Sequence, residues 1–84
     1  MIMNINTSTV LTRKDFIELI TSLQKNLIEH PEEWENLTLA KFLEAVSAWT
    51  HDMDGYYENN NLPIPIEPSW SNLADIFIAA KTYE

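Results

Sequence analysis

The residues best suited to chemistry lie in one short run, HDMDGYYE, from His51 to Glu58. The run combines an imidazole, three carboxylates, two phenols and the only glycine of the chain. Carboxylates and imidazole can bind a divalent metal or exchange protons with a substrate. Tyrosine is a frequent anchor of protein-binding surfaces. A metal loop, a catalytic pair and a docking surface are therefore the three hypotheses that this run raises.

A calcium loop of the EF-hand type does not fit the sequence around Gly55. Such a loop has glycine at its sixth position and a bidentate glutamate at its twelfth. With Gly55 in the sixth position, Thr50 would be first and Asn61 twelfth, and neither is the required carboxylate. The surrounding residues also follow a helical period, which argues against a loop.

The two aspartates of the run are a poor catalytic pair. At 100° per residue, Asp52 and Asp54 fall on opposite flanks of a helix's apolar stripe, so they cannot flank one bond together. His51 with Asp54 and Glu58 leaves a metal-dependent enzyme as a hypothesis, and a solvated charged face is the alternative. The chain shows no nucleophile elbow and no glycine-rich phosphate loop. We therefore expect no enzymatic activity, no cofactor and no metal.

The composition excludes several classes of protein. The chain has 84 residues and no cysteine, which excludes disulfides and thiolate metal sites. It shows neither a secretory leader nor a run of about 20 apolar residues that would span a bilayer. We therefore expect a cytoplasmic protein that does not enter a membrane.

The formal net charge of −8 is concentrated after residue 28. Residues 29–84 carry eleven acidic side chains and two lysines. Such a surface repels the phosphates of nucleic acids and attracts basic proteins. Solubility alone is the alternative explanation of the charge. We expect a basic protein partner and no binding of nucleic acid.

Apolar residues at steps of three and four predict an all-α fold with three helices. The predicted helices span residues of about 12–29, 38–59 and 69–83. Hydroxyl side chains stand at each predicted start and can cap the first turn. These residues are Thr12, Thr38 and Ser69.

The second helix is predicted to pass through Gly55. Its apolar stripe continues in phase through Tyr56 and Tyr57, although glycine costs a helix about 1 kcal/mol relative to alanine. We expect one of the following asparagines to take the left-handed cap. Gly55 then lies on the outward face, where either another segment of the chain or a partner can approach closely.

The segment LPIPIEP, residues 62–68, is predicted to be an extended strap, because prolines fix φ and interrupt helices. Its apolar residues are expected to lie across the helices, with prolines packed on a tyrosine of the second helix and on Trp70. Residues 1–11 form an N-terminal segment that we expect to be flexible, with a strand in Ile2–Val10 as an alternative. The whole chain, 1–84, is expected to form one domain.

The second half of the chain resembles a small, mostly bacterial family of domains of unknown function. The shared pattern is F-L-E-A…W…D-M-D-G-Y-Y…P-S-W…A-D-I…Y-E, and the resemblance implies no catalytic role. It does imply that the run D-M-D-G-Y-Y serves the fold or binding. The matching residues are Phe42–Ala45, Trp49, Asp52–Tyr57, Pro68–Trp70, Ala74–Ile76 and Tyr83–Glu84.

These observations predict a non-enzymatic, acidic protein-binding module, most concretely an immunity- or antitoxin-like inhibitor of a basic toxin. The candidate contacts are Asp52, Asp54, Tyr56, Tyr57 and Glu58. Asp52 has a structural cap as its alternative role, and the tyrosines have packing within the chain. The alternative function is a structural or regulatory subunit that oligomerises through exposed aromatic residues, so that the protein is a monomer or a homodimer.

Overall fold

The structure is a computed structural model that describes residues 6–84. It contains three α-helices: α1 spans Arg13–Glu29, α2 spans Leu39–Asn59 and α3 spans Trp70–Ala80. No strand occurs in the part of the chain that the structure describes. The prediction of a small all-α domain with three helices is confirmed.

Each helix begins where the sequence predicts its cap. In every case a hydroxyl oxygen accepts a hydrogen bond from the backbone N–H three residues later, which satisfies a donor that the first turn leaves free. At α1 the side chain of Asp15 reciprocates and completes a capping box. The cap residues are Thr12, Thr38 and Ser69.

The ends of α2 and α3 show one confirmed prediction and one difference. α2 passes through Gly55 unbroken, and Asn61 after it has a φ of 56°, the left-handed conformation predicted for an asparagine. α3 ends at Ala80, earlier than predicted, because the side-chain amide of Asn36 donates hydrogen bonds to the carbonyl oxygens of Ala80 and Tyr83. The Asn36 Nδ2 atom lies 2.8 Å from the Ala80 oxygen and 2.9 Å from the Tyr83 oxygen.

α3 is the central helix of the fold. Both α1 and α2 pack on it, whereas α1 and α2 make little contact with each other. Ala74 and Ala80 of α3 are completely buried, and their small side chains allow neighbouring elements to approach closely. One hydrophobic cluster joins α3 to α1 around Leu19, Leu23 and Trp34, and a second joins it to α2 around Trp49, Tyr57 and Ile76.

The N-terminal segment is described from Asn6 onward, so residues 1–5 of the segment predicted to be flexible lie outside the described residues. Thr7–Thr9 form a 3-10 turn instead of the alternative strand. Ser71 Oγ of α3 donates to the Thr7 carbonyl at 2.8 Å, and Val10 is buried. This part of the segment is thus joined to α3.

The strap, residues 62–68, contains no helix or strand. Ile66 is 99% exposed, so the prediction that the apolar side chains of the strap lie across the helices is wrong for this residue, whereas Leu62 and Ile64 are 47% and 39% exposed. Pro63 and Pro65 line one groove together with Tyr56 of α2. Trp70, the other expected neighbour of the prolines, lines another groove together with Pro68 and packs on Phe16 of α1, with ring centroids 5.6 Å apart.

Candidate functional site

A groove of about 500 Å³ lies between the strap, α2, α3 and the N-terminal turn. We call it the strap groove. Hydroxyl and amide side chains supply much of its lining, and Tyr56 with Pro63 and Pro65 supplies apolar surface. Asp75 is its one charged lining residue among the residues that the structure describes. The groove therefore combines an aromatic ring, two prolines and a single carboxylate.

The carboxylate of Asp75 is held from both sides. Its Oδ1 accepts a hydrogen bond from Thr7 Oγ1 at 2.5 Å, and its Oδ2 accepts one from the Tyr57 hydroxyl at 2.6 Å. The Tyr57 oxygen in turn accepts from Asn72 Nδ2 at 3.0 Å. A carboxylate offers about four acceptor positions, so two remain for another donor. The surroundings thus fix the orientation of Asp75 without using its full capacity.

Among the residues that the structure describes, no cationic side chain neutralises Asp75. Within residues 6–84, the ion pair made by a lysine or arginine is that of Lys81 with Glu33, at 3.5 Å. That pair lies in another part of the fold, where Lys81 also contacts the Trp34 ring. The strap groove consequently keeps a negative charge that the described chain does not balance.

Tyr57 belongs to the core, although the sequence placed it among the candidate contacts. Tyr57 is 4% exposed. It contributes to the electrostatics of the groove through the hydrogen bond that its hydroxyl donates to Asp75. Burial raises the pKa of Tyr57 far above its ordinary value of 10.0, and the hydrogen bond to Asp75 raises it further. The phenol therefore remains a hydrogen-bond donor at neutral pH.

Four of the candidate contacts lie on the open surface, namely Asp52, Asp54, Tyr56 and Glu58. Tyr56 is 40% exposed, lines the strap groove and packs on the Trp49 ring, with centroids 5.4 Å apart. Asp54 and Glu58 are four residues apart on α2, so they are neighbours on its surface. Gly55 lies between them, and a Cβ atom added there would meet nothing within 4 Å. Neither the strap nor the N-terminal turn approaches Gly55.

Asp52 connects α2 to the C-terminal end of the chain. Its Oδ2 accepts a hydrogen bond from the Tyr83 hydroxyl at 2.6 Å, and its Oδ1 lies 2.9 Å from His51 Nδ1. The Tyr83 bond, and then the contact with His51, lowers the pKa of Asp52. The Asp52 bond conversely raises the pKa of Tyr83. Asp52 thus joins α2 to the residues that follow α3, while its side chain remains 54% exposed.

The hypothetical metal ligands of α2 are not brought together. The structure does not place His51, Asp54 and Glu58 within reach of one ion. Across residues 6–84, metal-ligand spacing occurs instead at His30, Glu32 and Glu33. The Lys81 ammonium lies 3.5 Å from a Glu33 oxygen and competes with any cation there.

The chain matches a known protein family over the region from Thr12, the cap of α1, to Glu84. A family model of unknown function, DUF7660, matches residues 12–84. The chain belongs to this family. The match extends the resemblance found at Phe42–Glu84 to the whole three-helix unit. No curated protein and no solved structure matches the chain.

The DUF7660 match contains Asp75 and Tyr57, whereas Thr7 lies before it. Sequence reasoning missed Asp75, yet a signal was present, because Asp75 is the only charged residue within Trp70–Ala80. An isolated acid on a largely apolar helix needs hydrogen-bond partners. Its partner Thr7 could not be found from spacing, because the two are 68 residues apart.

A search for membrane spans gives a negative result. None of the helices within residues 6–84 has both the length and the hydropathy required to cross a bilayer.

Proposed function

We propose that the protein is a non-enzymatic, acidic protein-binding module, most concretely an immunity- or antitoxin-like inhibitor of a basic protein in the cytoplasm. The observation that carries this proposal is the strap groove, where Asp75 is held in place and no cationic neighbour occurs within residues 6–84. An arginine or lysine side chain of the partner would supply the missing charge.

The charge of the segment between Lys41 and Lys81 supports the proposal. Between Lys41 and Lys81 the chain has six acidic residues and no lysine or arginine. A region of one sign attracts an oppositely charged partner, speeds its association and loses this advantage as salt rises. The acids are Glu44, Asp52, Asp54, Glu58, Glu67 and Asp75.

The groove has suitable chemistry for a guanidinium group. Two acceptor positions of Asp75 remain free for its N–H donors, and charge-assisted hydrogen bonds of this kind are about twice as strong as neutral ones. The Tyr56 ring offers a face for a cation–π contact. Pro63 and Pro65 add apolar surface on the strap side, against which the methylene groups of the same side chain can pack.

A second contact region follows from the outer surface of α2. Asp54 and Glu58 are exposed carboxylates one turn apart, and one cation can interact with both. Gly55 between them leaves room for a partner's backbone to come close. Tyr56 lies two residues from each, about 200° around the helix, so Asp54 and Glu58 form an outer contact region that is separate from the inner one of Asp75 and Tyr56 in the strap groove.

The decisive experiment is an affinity capture from the source lysate at low and at high salt, with three variants in parallel. Asp54→Lys combined with Glu58→Lys reverses the outer charge. Asp75→Asn removes the inner charge but keeps the shape, because the Thr7 hydroxyl can accept from the new amide. Glu29→Lys is the control, since it changes an exposed acid on α1.

We expect the wild type and Glu29→Lys to capture the same basic protein at low salt and to release it at high salt. The double lysine variant and Asp75→Asn should lose it. Capture that is equal for all four proteins, or that resists high salt, would contradict the proposal.

A further inference from the structure

Four hydroxyl groups that line the strap groove already donate their hydrogen atoms within the chain. Thr7 Oγ1 and the Tyr57 hydroxyl donate to the Asp75 carboxylate at 2.5 and 2.6 Å. Ser71 Oγ donates to the Thr7 carbonyl at 2.8 Å, and Ser8 Oγ donates to a side-chain amide oxygen in the same N-terminal turn at 2.6 Å. A hydroxyl group has one hydrogen to donate and two lone pairs that accept. Toward a ligand, these hydroxyls therefore act only as acceptors.

The Asp75 carboxylate adds acceptor positions on both of its oxygens. The two hydrogen bonds that it accepts fall on different atoms, Oδ1 and Oδ2, so each oxygen keeps room for a further donor. The lining of the strap groove thus combines a negative charge with a set of hydrogen-bond acceptors. The ligand that matches this lining carries a positive charge and several donors, whereas an anion would meet the like charge of Asp75.

We infer that the strap groove selects arginine over lysine, so that the inner contact of the partner is a single arginine side chain. This inference rests on the proposed function and names the residue that the partner supplies. A guanidinium group has five donors in a rigid plane and no acceptor, whereas the lysine ammonium has three donors on one atom. Two parallel N–H groups of the guanidinium can bond both oxygens of Asp75, which leaves three donors for the hydroxyl acceptors.

The aromatic part of the strap groove favours the same side chain. The Tyr56 ring is 40% exposed and lines the groove. A planar guanidinium stacks on an aromatic ring, and it is more weakly hydrated than the compact ammonium of lysine. Arginine therefore loses less hydration than lysine on entering the groove and gains more contact there.

A second groove, of about 350 Å³, lies between α1 and α2 and is the internal reference for this inference. We call it the α1–α2 groove. It exists because both helices pack on α3 and make little contact with each other. Trp34, Phe42 and Phe77 contribute to its lining, and within residues 6–84 none of its lining residues is charged. A cationic side chain has no carboxylate to pair with there, so an arginine peptide should leave this groove unperturbed.

A chemical-shift titration of the ¹⁵N-labelled full chain with two blocked tripeptides tests the inference. The peptides are acetyl-Gly-Arg-Gly-amide and acetyl-Gly-Lys-Gly-amide, which carry the same single charge. From the amides of Asn72 and Asp75 we expect a Kd for the arginine peptide that is roughly fivefold or more below that for the lysine peptide. Asp75→Asn should remove this difference. The amide of Leu39, which lines the α1–α2 groove, should not shift with either peptide.

Ser8→Ala and Thr9→Ala form a matched pair that tests the role of the hydroxyl acceptors. Both hydroxyls donate to Asn6 in the same turn, but Ser8 lines the strap groove and Thr9 does not. Ser8→Ala should weaken binding of the arginine peptide about twofold or more and leave that of the lysine peptide unchanged. Thr9→Ala should leave both Kd values unchanged.

Equal affinity for the two peptides would overturn the inference. A preference for arginine that survives Asp75→Asn would overturn it too, as would the absence of any shift in the strap groove up to the solubility limit of the peptides. The capture experiment is a separate test of the proposed function, because it asks whether a basic protein binds, whichever cationic residue that protein supplies. An arginine preference without capture of a basic protein would contradict the proposed function alone.

Discussion

The strap groove and the α1–α2 groove have volumes of the same order, about 500 and 350 Å³, but opposite chemistry. The first is built around a carboxylate that accepts two hydrogen bonds, and the second around aromatic and aliphatic side chains. α3 contributes Asp75 to one and Phe77 to the other. Two residues correspond to about 200° around a helix, so α3 presents nearly opposite sides to the two grooves.

This difference shows how a short chain can separate two kinds of surface. In the strap groove, hydrogen bonds fix the orientation of the Asp75 carboxylate, so recognition there should depend on charge and salt. In the α1–α2 groove, packing alone defines the surface, which within residues 6–84 has no charged lining residue to select a ligand. α3 can line both grooves because its buried core residues, such as Ala74 and Ile76, lie between the side with Asp75 and the side with Phe77.

Phe77→Ala should have the largest effect, because it removes a ring from the apolar side of α3. The ring lies 5.7 Å from Phe16 and 6.0 Å from Phe42, measured between centroids. We expect a loss of about 3 kcal/mol in the free energy of unfolding. Urea denaturation followed by tryptophan fluorescence measures it. A loss below about 1 kcal/mol would mean that this side of the fold is less well packed than the structure shows.

Tyr57→Phe tests the hydrogen-bonded side of α3 in the same way. It removes the donor to Asp75 and the acceptor for the buried Asn72, so we expect a loss of about 1–3 kcal/mol. Spectrophotometric titration should also lose a phenol that ionises far above the ordinary tyrosine pKa of 10.0. Tyr56→Phe is the matched control on the neighbouring ring and should change stability by less than about 0.5 kcal/mol.

Gly55→Ala separates stability from binding. Space around the residue is open and α2 is helical there, so alanine should stabilise the fold by about 0.5–1 kcal/mol. If a partner's backbone approaches Gly55, the same methyl group should weaken capture of the basic protein. Thermal unfolding and affinity capture are the two measurements. Tighter capture in the stabilised variant would place the partner elsewhere.

The hydrogen bond between Tyr83 and Asp52 should make the smallest contribution to the free energy of unfolding. It should be visible as a dependence of that free energy on pH, at low pH and at high pH. The pKa of Asp52 is lowered, so the stability it provides is present above its ordinary value of 3.8 and is lost as the pH falls through the folded-state pKa. The pKa of Tyr83 is raised, so its contribution is present below 10.0 and is lost as the pH rises through the folded-state value. Tyr83→Phe should flatten both limbs of the stability profile, and unchanged limbs would show that this hydrogen bond does not stabilise the fold.

Local rules were sufficient to predict the helices of this fold. Thr12, Thr38 and Ser69 cap their own helices, and the continuation of α2 through Gly55 follows from the apolar period of adjacent residues. Such features depend on residues three or four positions apart, so the sequence displays them directly.

The site could be predicted only in part, because its partners are distant in sequence. Asp52, Asp54, Tyr56 and Glu58 lie on the open surface as expected of contacts, but Tyr57 is buried and donates to Asp75, 18 residues away. The exposure of Ile66 could not be predicted either, since it depends on where the ends of α2 and α3 hold the strap. These outcomes are set by tertiary packing, which no short-range pattern encodes.

The most direct test of the central claim is a chemical-shift titration of the ¹⁵N-labelled protein with an octa-arginine peptide, at low and at high salt. The account predicts that the amides of Tyr56, Asn72 and Asp75 shift at low salt, that those of Leu39–Leu43 do not, and that high salt or Asp75→Asn abolishes the shifts. Shifts confined to the α1–α2 groove, or shifts in the strap groove that survive Asp75→Asn, would contradict it.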